Sequence, residues 1–237
     1  MITFQDKKIL IIVAHGDDEV LNAGGLILGI ADEAKCIDIL IISKRYSRES
    51  NSFDLYKAKK SDKKNNYLSK TLGIHNITYW EASMHDDNLT VTDAKDVIEL
   101  FLKNKSKTKV KYYDIVINHD YCDFNQTHRV VAEAGMIAFR TYSNQTPQLY
   151  MTHCCTMNSV INQLHFKMSF DPNFFYPITE STLQKKYNWL KYLYPDQITP
   201  YRNMSALKRM HDGYLGFRDF LELSEKFRIV FYLQTVK

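Results

Sequence analysis

The chain has 237 residues, 45% of them hydrophobic and 24% charged, with a formal net charge of +4. That length supports one large domain or two small ones around a substantial core. So mild a charge surplus gives no ground for a nucleic-acid partner, and no apolar run approaches a membrane span. Four cysteines, Cys36, Cys122, Cys154 and Cys155, show no CxxC spacing, so reduced thiols are expected. The N-terminal residues carry no secretory pattern, and a cytoplasmic location is the expectation.

Apolar, β-branched runs at Lys8–Val13, Cys36–Ile42, Ile77–Trp80, Asp114–Asn118 and Gln148–Thr152 read as buried strands. Amphipathic stretches at Val20–Ala31, Asn51–Leu72, Asp93–Lys103 and His128–Tyr142 read as the helices between them. Such alternation predicts an α/β fold: a Rossmann-like, doubly wound, mostly parallel sheet flanked by helices. Gly24-Gly25 costs the first helix propensity, so close packing is expected there. In a 3-2-1-4-5 strand order, the first and fourth strands are neighbours whose loops leave in opposite directions and open a crevice. The basic clusters Lys57–Lys64 and Lys103–Lys111 read as solvated surface. Beyond about residue 155, Thr179–Tyr194 reads as a helix interrupted at Pro195 and Pro200. Ser205–Glu222 reads as a second helix and Phe227–Leu233 as a late strand. No linker composition separates this helical elaboration from the core, which predicts a single domain over 1–237.

The segment Val13-Ala14-His15-Gly16-Asp17-Asp18-Glu19-Val20 follows the first strand directly. His15 and Asp18 are three apart and can share a face of an opening helical turn. One imidazole and one carboxylate are two thirds of a three-ligand catalytic metal site. Asp17, between them, is free to act as a base. Glu19 reads as an acid serving the helix dipole. After the fourth strand comes Asn118-His119-Asp120-Tyr121-Cys122-Asp123-Phe124-Asn125-Gln126-Thr127-His128-Arg129. His128, at the next helix start, is the best third ligand.

These residues resemble the PIG-L/LmbE-type metal-dependent N-deacetylases, which act on acetamido sugars. The family's A-H-P-D-D-E motif stands here as Ala14-His15-Gly16-Asp17-Asp18-Glu19. D-x-N-x-x-H-R-x-V stands as Asp123-Phe124-Asn125-Gln126-Thr127-His128-Arg129-Val130-Val131. Weaker matches are Tyr194-Pro195-Asp196-Gln197, Arg209 before Gly213, and Ser224-Glu225-Lys226-Phe227. Gly16 replaces the family's proline, which should loosen the loop. Asn125 replaces a histidine implicated in oxyanion stabilisation. Asp62 and Asn65 stand where the family's R-x-x-E is expected.

The resemblance implies Zn²⁺, or another divalent metal, on His15, Asp18 and His128, with Asp17 as general base. Asn125 and His153 are the candidate oxyanion helpers. Asp123 and His119 are candidates to support the ligands. Asp86, Asp87 and Asp123 are also candidates to bind sugar hydroxyls. The expected activity is release of acetate from an N-acetylated amino sugar, free or conjugated, with a nucleotide as the favoured conjugate. The alternatives are a non-catalytic metal- or ligand-binding member and a hydrolase of non-sugar amides. A phosphoryl-accepting receiver domain would leave His15, His128 and the last third unused, and no GxGxxG follows the first strand for a dinucleotide.

Overall fold

A computed structural model describes residues 2–44, 57–106, 112–140, 146–154, 170–199, 203–205 and 224–232. Strands β1 (Lys8–Val13), β2 (Cys36–Lys44), β3 (Lys59–Lys60), β4 (Ile77–His85), β5 (Ile115–His119), β6 (Leu149–His153), β7 (Phe174–Pro177) and β8 (Ser224–Tyr232) form one sheet. Its order is β3-β4-β2-β1-β5-β6-β8-β7. The central run β4-β2-β1-β5-β6 is parallel, and it is the 3-2-1-4-5 order that the sequence predicts. β3, β8 and β7 join antiparallel at the two edges.

β1 shows why such a strand must be central. Ile9, Ile11 and Val13 enter one core, while Leu10 and Ile12, followed by Ala14, enter the other. Both faces are apolar, so both need covering. Helices α1 (Asp18–Ile30), α2 (Asp62–Thr71) and α5 (Glu180–Leu193) cover the first; α3 (Val91–Ser106) and α4 (Gln126–Ala138) cover the second. Among the described residues no helix is long and apolar enough to cross a membrane.

The helix expected over Asn51–Leu72 is partly corrected. Residues 51–56 lie outside the described residues, and α2 begins only at Asp62. Lys59-Lys60 is extended and pairs with Trp80 and Glu81 of β4. In a helix, Lys59 and Lys60 would each face another lysine four residues on, which is repulsive. Extended, Lys60 instead lies over the Trp80 ring at 5.4 Å. β7 went unpredicted; its Phe174-Phe175-Tyr176 run at the sheet edge, ended by Pro177, is the signal. Of the helix expected over Ser205–Glu222 only Ser205 is described, and it is helical; residues 206–222 and Cys155 lie outside the described residues.

Gly24-Gly25 has its predicted packing. A Cβ on Gly25 would stand 2.4 Å from Ile178 Cγ2 and 3.0 Å from Glu225 Cδ. Glu225 of β8 accepts the N–H groups of Gly25 and Leu26, both at 2.8 Å. Its buried partner, Lys186 of α5, donates to the Leu21 carbonyl at 2.8 Å. A buried ion pair from the last third thus grips the backbone of α1 in mid-helix.

Candidate metal centre

The carboxyl ends of the parallel strands bring together the side chains singled out above. β1 pairs with β5 only through Ile9–Ile11 and Ile115–Ile117. Beyond that ladder the two chains part, as a topological switch point requires. His15 and Asp17 follow β1, Asp18 opens α1, and His128 lies in the first turn of α4. All four are buried, each with 4% or less of its surface exposed.

Three donor atoms form a nearly equilateral triangle. His15 Nδ1 and His128 Nε2 are 3.3 Å apart, Asp18 Oδ2 and His128 Nε2 3.2 Å, and His15 Nδ1 and Asp18 Oδ2 3.4 Å. Ligands on a tetrahedral zinc, with bonds of about 2.0–2.1 Å, stand about 3.3–3.4 Å from one another. The triangle therefore fits a divalent ion with a further position left open.

Asp86 Oδ1 lies 2.7 Å from His15 Nε2, and a carboxylate so placed fixes the tautomer that turns the other nitrogen inward. Asp123 Oδ2 lies 3.0 Å from His128 Nδ1 as a charge partner, without the alignment of a hydrogen bond. Asp18 also closes its own loop, accepting the His15 backbone N–H at 3.0 Å. Burial works against the Asp18 charge, but His128 and His15 outweigh it and hold the carboxyl well below its usual range. Burial likewise pulls His128 down, while Asp18 and Asp123 push it up to about 10. This donor set already holds a proton tightly, and a cation can replace that proton.

Asp17 adopts φ 131°, one of two non-glycine residues with positive φ among those described. Such backbone costs about 1–3 kcal/mol and persists only where its surroundings enforce it. Glu19 is one enforcer, and here the expectation of a simple dipole acid is corrected. Glu19 is fully buried and accepts the Asp17 N–H at 3.0 Å, Tyr79 OH at 2.8 Å and Tyr194 OH at 2.6 Å. Burial raises its pKa, with Lys64 and Tyr194 pulling the other way. A Cβ on Gly16 would lie 2.9 Å from both Lys64 Nζ and Tyr194 Cε1, so a larger residue there would require these side chains to shift.

The remaining candidates divide. Asp123 is fully buried behind His128 and also accepts the Asn125 N–H at 2.9 Å, which leaves it no access to a sugar. Asp86 is committed to His15, and Ser43 Oγ is 3.4 Å from it. Asp87 is exposed at the rim. Asn125 caps α4, its Oδ1 accepting from Thr127 N at 2.8 Å and His128 N at 3.4 Å. His153, the last residue of β6, is fully buried, and burial lowers its pKa to about 4. Its ring meets His119 at 4.8 Å, not the triangle.

Solved structures share the architecture. An N,N'-diacetylchitobiose deacetylase from Pyrococcus horikoshii matches at 17% identity and TM-score 0.62, over 94% of this chain and 84% of that one. A 4-carboxy-2-hydroxymuconate hydratase from Pseudomonas putida matches at 15% and 0.59, over 98% and 99%. A zinc-inhibited form of a teicoplanin deacetylase matches at 11% and 0.60, over 94% and 98%. Identities this low establish the fold, and the hydratase shows that the fold alone does not select a reaction. No curated protein matches by sequence. The model of one family, described as GlcNAc-PI de-N-acetylase, matches residues 10–139 and so takes in His15, Asp17, Asp18, Asp86, Asp123 and His128. More than half of the chain lies within that match, and the protein belongs to the PIG-L family.

Proposed function

We propose that this protein is a divalent-metal-dependent N-deacetylase releasing acetate from an N-acetylated amino sugar. The observation that carries this reading is the triangle of His15, Asp18 and His128, with strained Asp17 beside it. Zn²⁺ is the ion this donor set suits best, though other divalent metals are tolerated. When bound, it supplies an acidified water and polarises the amide carbonyl. Asp17 accepts the proton of the attacking water on its carboxylate and returns it to the departing amine nitrogen. A C–O bond forms, the C–N bond breaks, and acetate and a free amine result. Asp86 and Asp123 keep the ligand imidazoles oriented, and exposed Asp87, next to Asp86, would meet a sugar hydroxyl. That structural neighbours include deacetylases supports the acetamido substrate. A nucleotide-linked sugar is the favoured form, and the cytoplasm the favoured compartment.

A panel of N-acetyl sugars, free, nucleotide-linked and lipid-linked, tests this with acetate detection on zinc-loaded protein. Acetate release that is lost in Asp17→Asn supports the proposal. Hydrolysis of non-sugar amides alone would overturn the substrate class. Water addition to a carbon–carbon double bond without acetate release would place the chain with the hydratase.

A further inference from the structure

Among the described residues, His119 is the buried histidine that touches both halves of the metal centre without belonging to the triangle. The β1–β5 ladder ends at Ile11 and Ile117, so Ala14, one residue before His15, finds no main-chain acceptor on β5 for its N–H. His119 Nε2 accepts that N–H instead, at 2.9 Å and fully buried. The side chain extends the ladder where the backbones separate. On its other side the ring stacks on His128, with centroids 4.0 Å apart and planes 22° apart. Its Nε2 is 3.6 Å from Asp18 Oδ2. One ring therefore contacts the loop carrying His15, the carboxylate and the second imidazole. A nitrogen that accepts a backbone N–H carries no proton of its own, so the proton of neutral His119 sits on Nδ1.

We propose that His119 is a positioning residue that sets the separation of the His15 and His128 donor atoms, and with it the geometry of the metal. This rests on the metal reading above. Only an aromatic ring with an unprotonated nitrogen meets both demands. Phenylalanine would keep the stack and leave the buried Ala14 N–H without an acceptor. Glutamine could accept that N–H and would lose the stack. Losing that acceptor would add the Ala14 N–H to a centre where, among the described residues, buried His119 Nδ1 is already without a partner.

The test is Co²⁺ titration of the full-length wild type, His119→Phe and His119→Gln, followed by visible absorption. Tyr113→Phe serves as the stability control. It removes a buried hydrogen bond to Asp38 at the opposite end of the sheet. Wild type should show the d–d bands of a four- to five-coordinate site. Both His119 variants should shift those bands and bind Co²⁺ about 10–100-fold more weakly, and Tyr113→Phe should do neither. His119 variants that are folded by circular dichroism and match wild type in spectrum and affinity would overturn the assignment. So would a Tyr113→Phe spectrum displaced as far as theirs. Should His119→Phe not fold, His119→Gln decides by the same criterion. Wild type that binds no Co²⁺ would instead defeat the metal reading itself.

Discussion

Replacing Lys186 with methionine isolates the contact that binds the last third of the chain to the helix carrying Asp18. Lys186 and Glu225 are both essentially inaccessible to solvent and lie 2.5 Å apart. Methionine fills much of the same volume but removes the ammonium. Among the described residues two deficits follow. The Leu21 carbonyl loses its bond from Nζ, and the Glu225 carboxylate stays buried with the Gly25 and Leu26 N–H groups as its remaining donors there. Breaking a buried pair on one side costs about 3–5 kcal/mol. For a domain of this size each kcal/mol is about 2–4 °C, so the Tm should fall by about 6–20 °C. Adding Glu225→Gln removes the stranded charge while keeping an acceptor for the helix. The double variant should therefore be more stable than Lys186→Met alone, a coupling that a double-mutant cycle measures. Thermal unfolding followed by circular dichroism is the assay. A loss under about 1 kcal/mol in the single variant, or a double variant no better than the single, would refute this account.

Asp17→Asn should retain bound metal by elemental analysis and lose about 10²–10⁴ in rate, the usual cost of deleting a general base. His128, with its pKa pushed up to about 10, is protonated in the metal-free protein at neutral pH, while a ligand imidazole must be neutral. Metal binding at pH 7.5 should therefore release about one proton, seen as a calorimetric enthalpy that varies with buffer ionisation heat, and affinity should rise with pH up to that pKa. Gly25→Ala should cost about 1–3 kcal/mol by overpacking against Ile178 and Glu225, read as a lower denaturation midpoint with an unchanged slope.

The centre was legible in the sequence because its parts are local. His15, Asp17 and Asp18 share one turn, His128 opens one helix, and each follows an unbroken apolar strand. Strand order came from the same source: alternating strands and helices leave few ways to cover a sheet that is apolar on both faces. What escaped is what depends on distant partners. Glu19 resembles a helix-start acid until Tyr194, 175 residues away, donates to it. Glu225 reaches Gly25 across 200 residues. Asp86 reads as a sugar binder because nothing in its neighbourhood announces the imidazole beside it, whereas Asp123 already reads as a candidate support for a ligand. His119, just past a predicted strand, reads as a candidate support for the ligands, but its bond to the Ala14 N–H is invisible in the sequence because it exists only where β1 and β5 part.

Anomalous diffraction from crystals of the zinc-loaded protein is the most direct test of the account. A single strong peak is predicted, about 2.0–2.2 Å from His15 Nδ1, Asp18 Oδ2 and His128 Nε2, and absent in His128→Ala. A peak placed elsewhere, or one that survives that substitution undiminished, would contradict it.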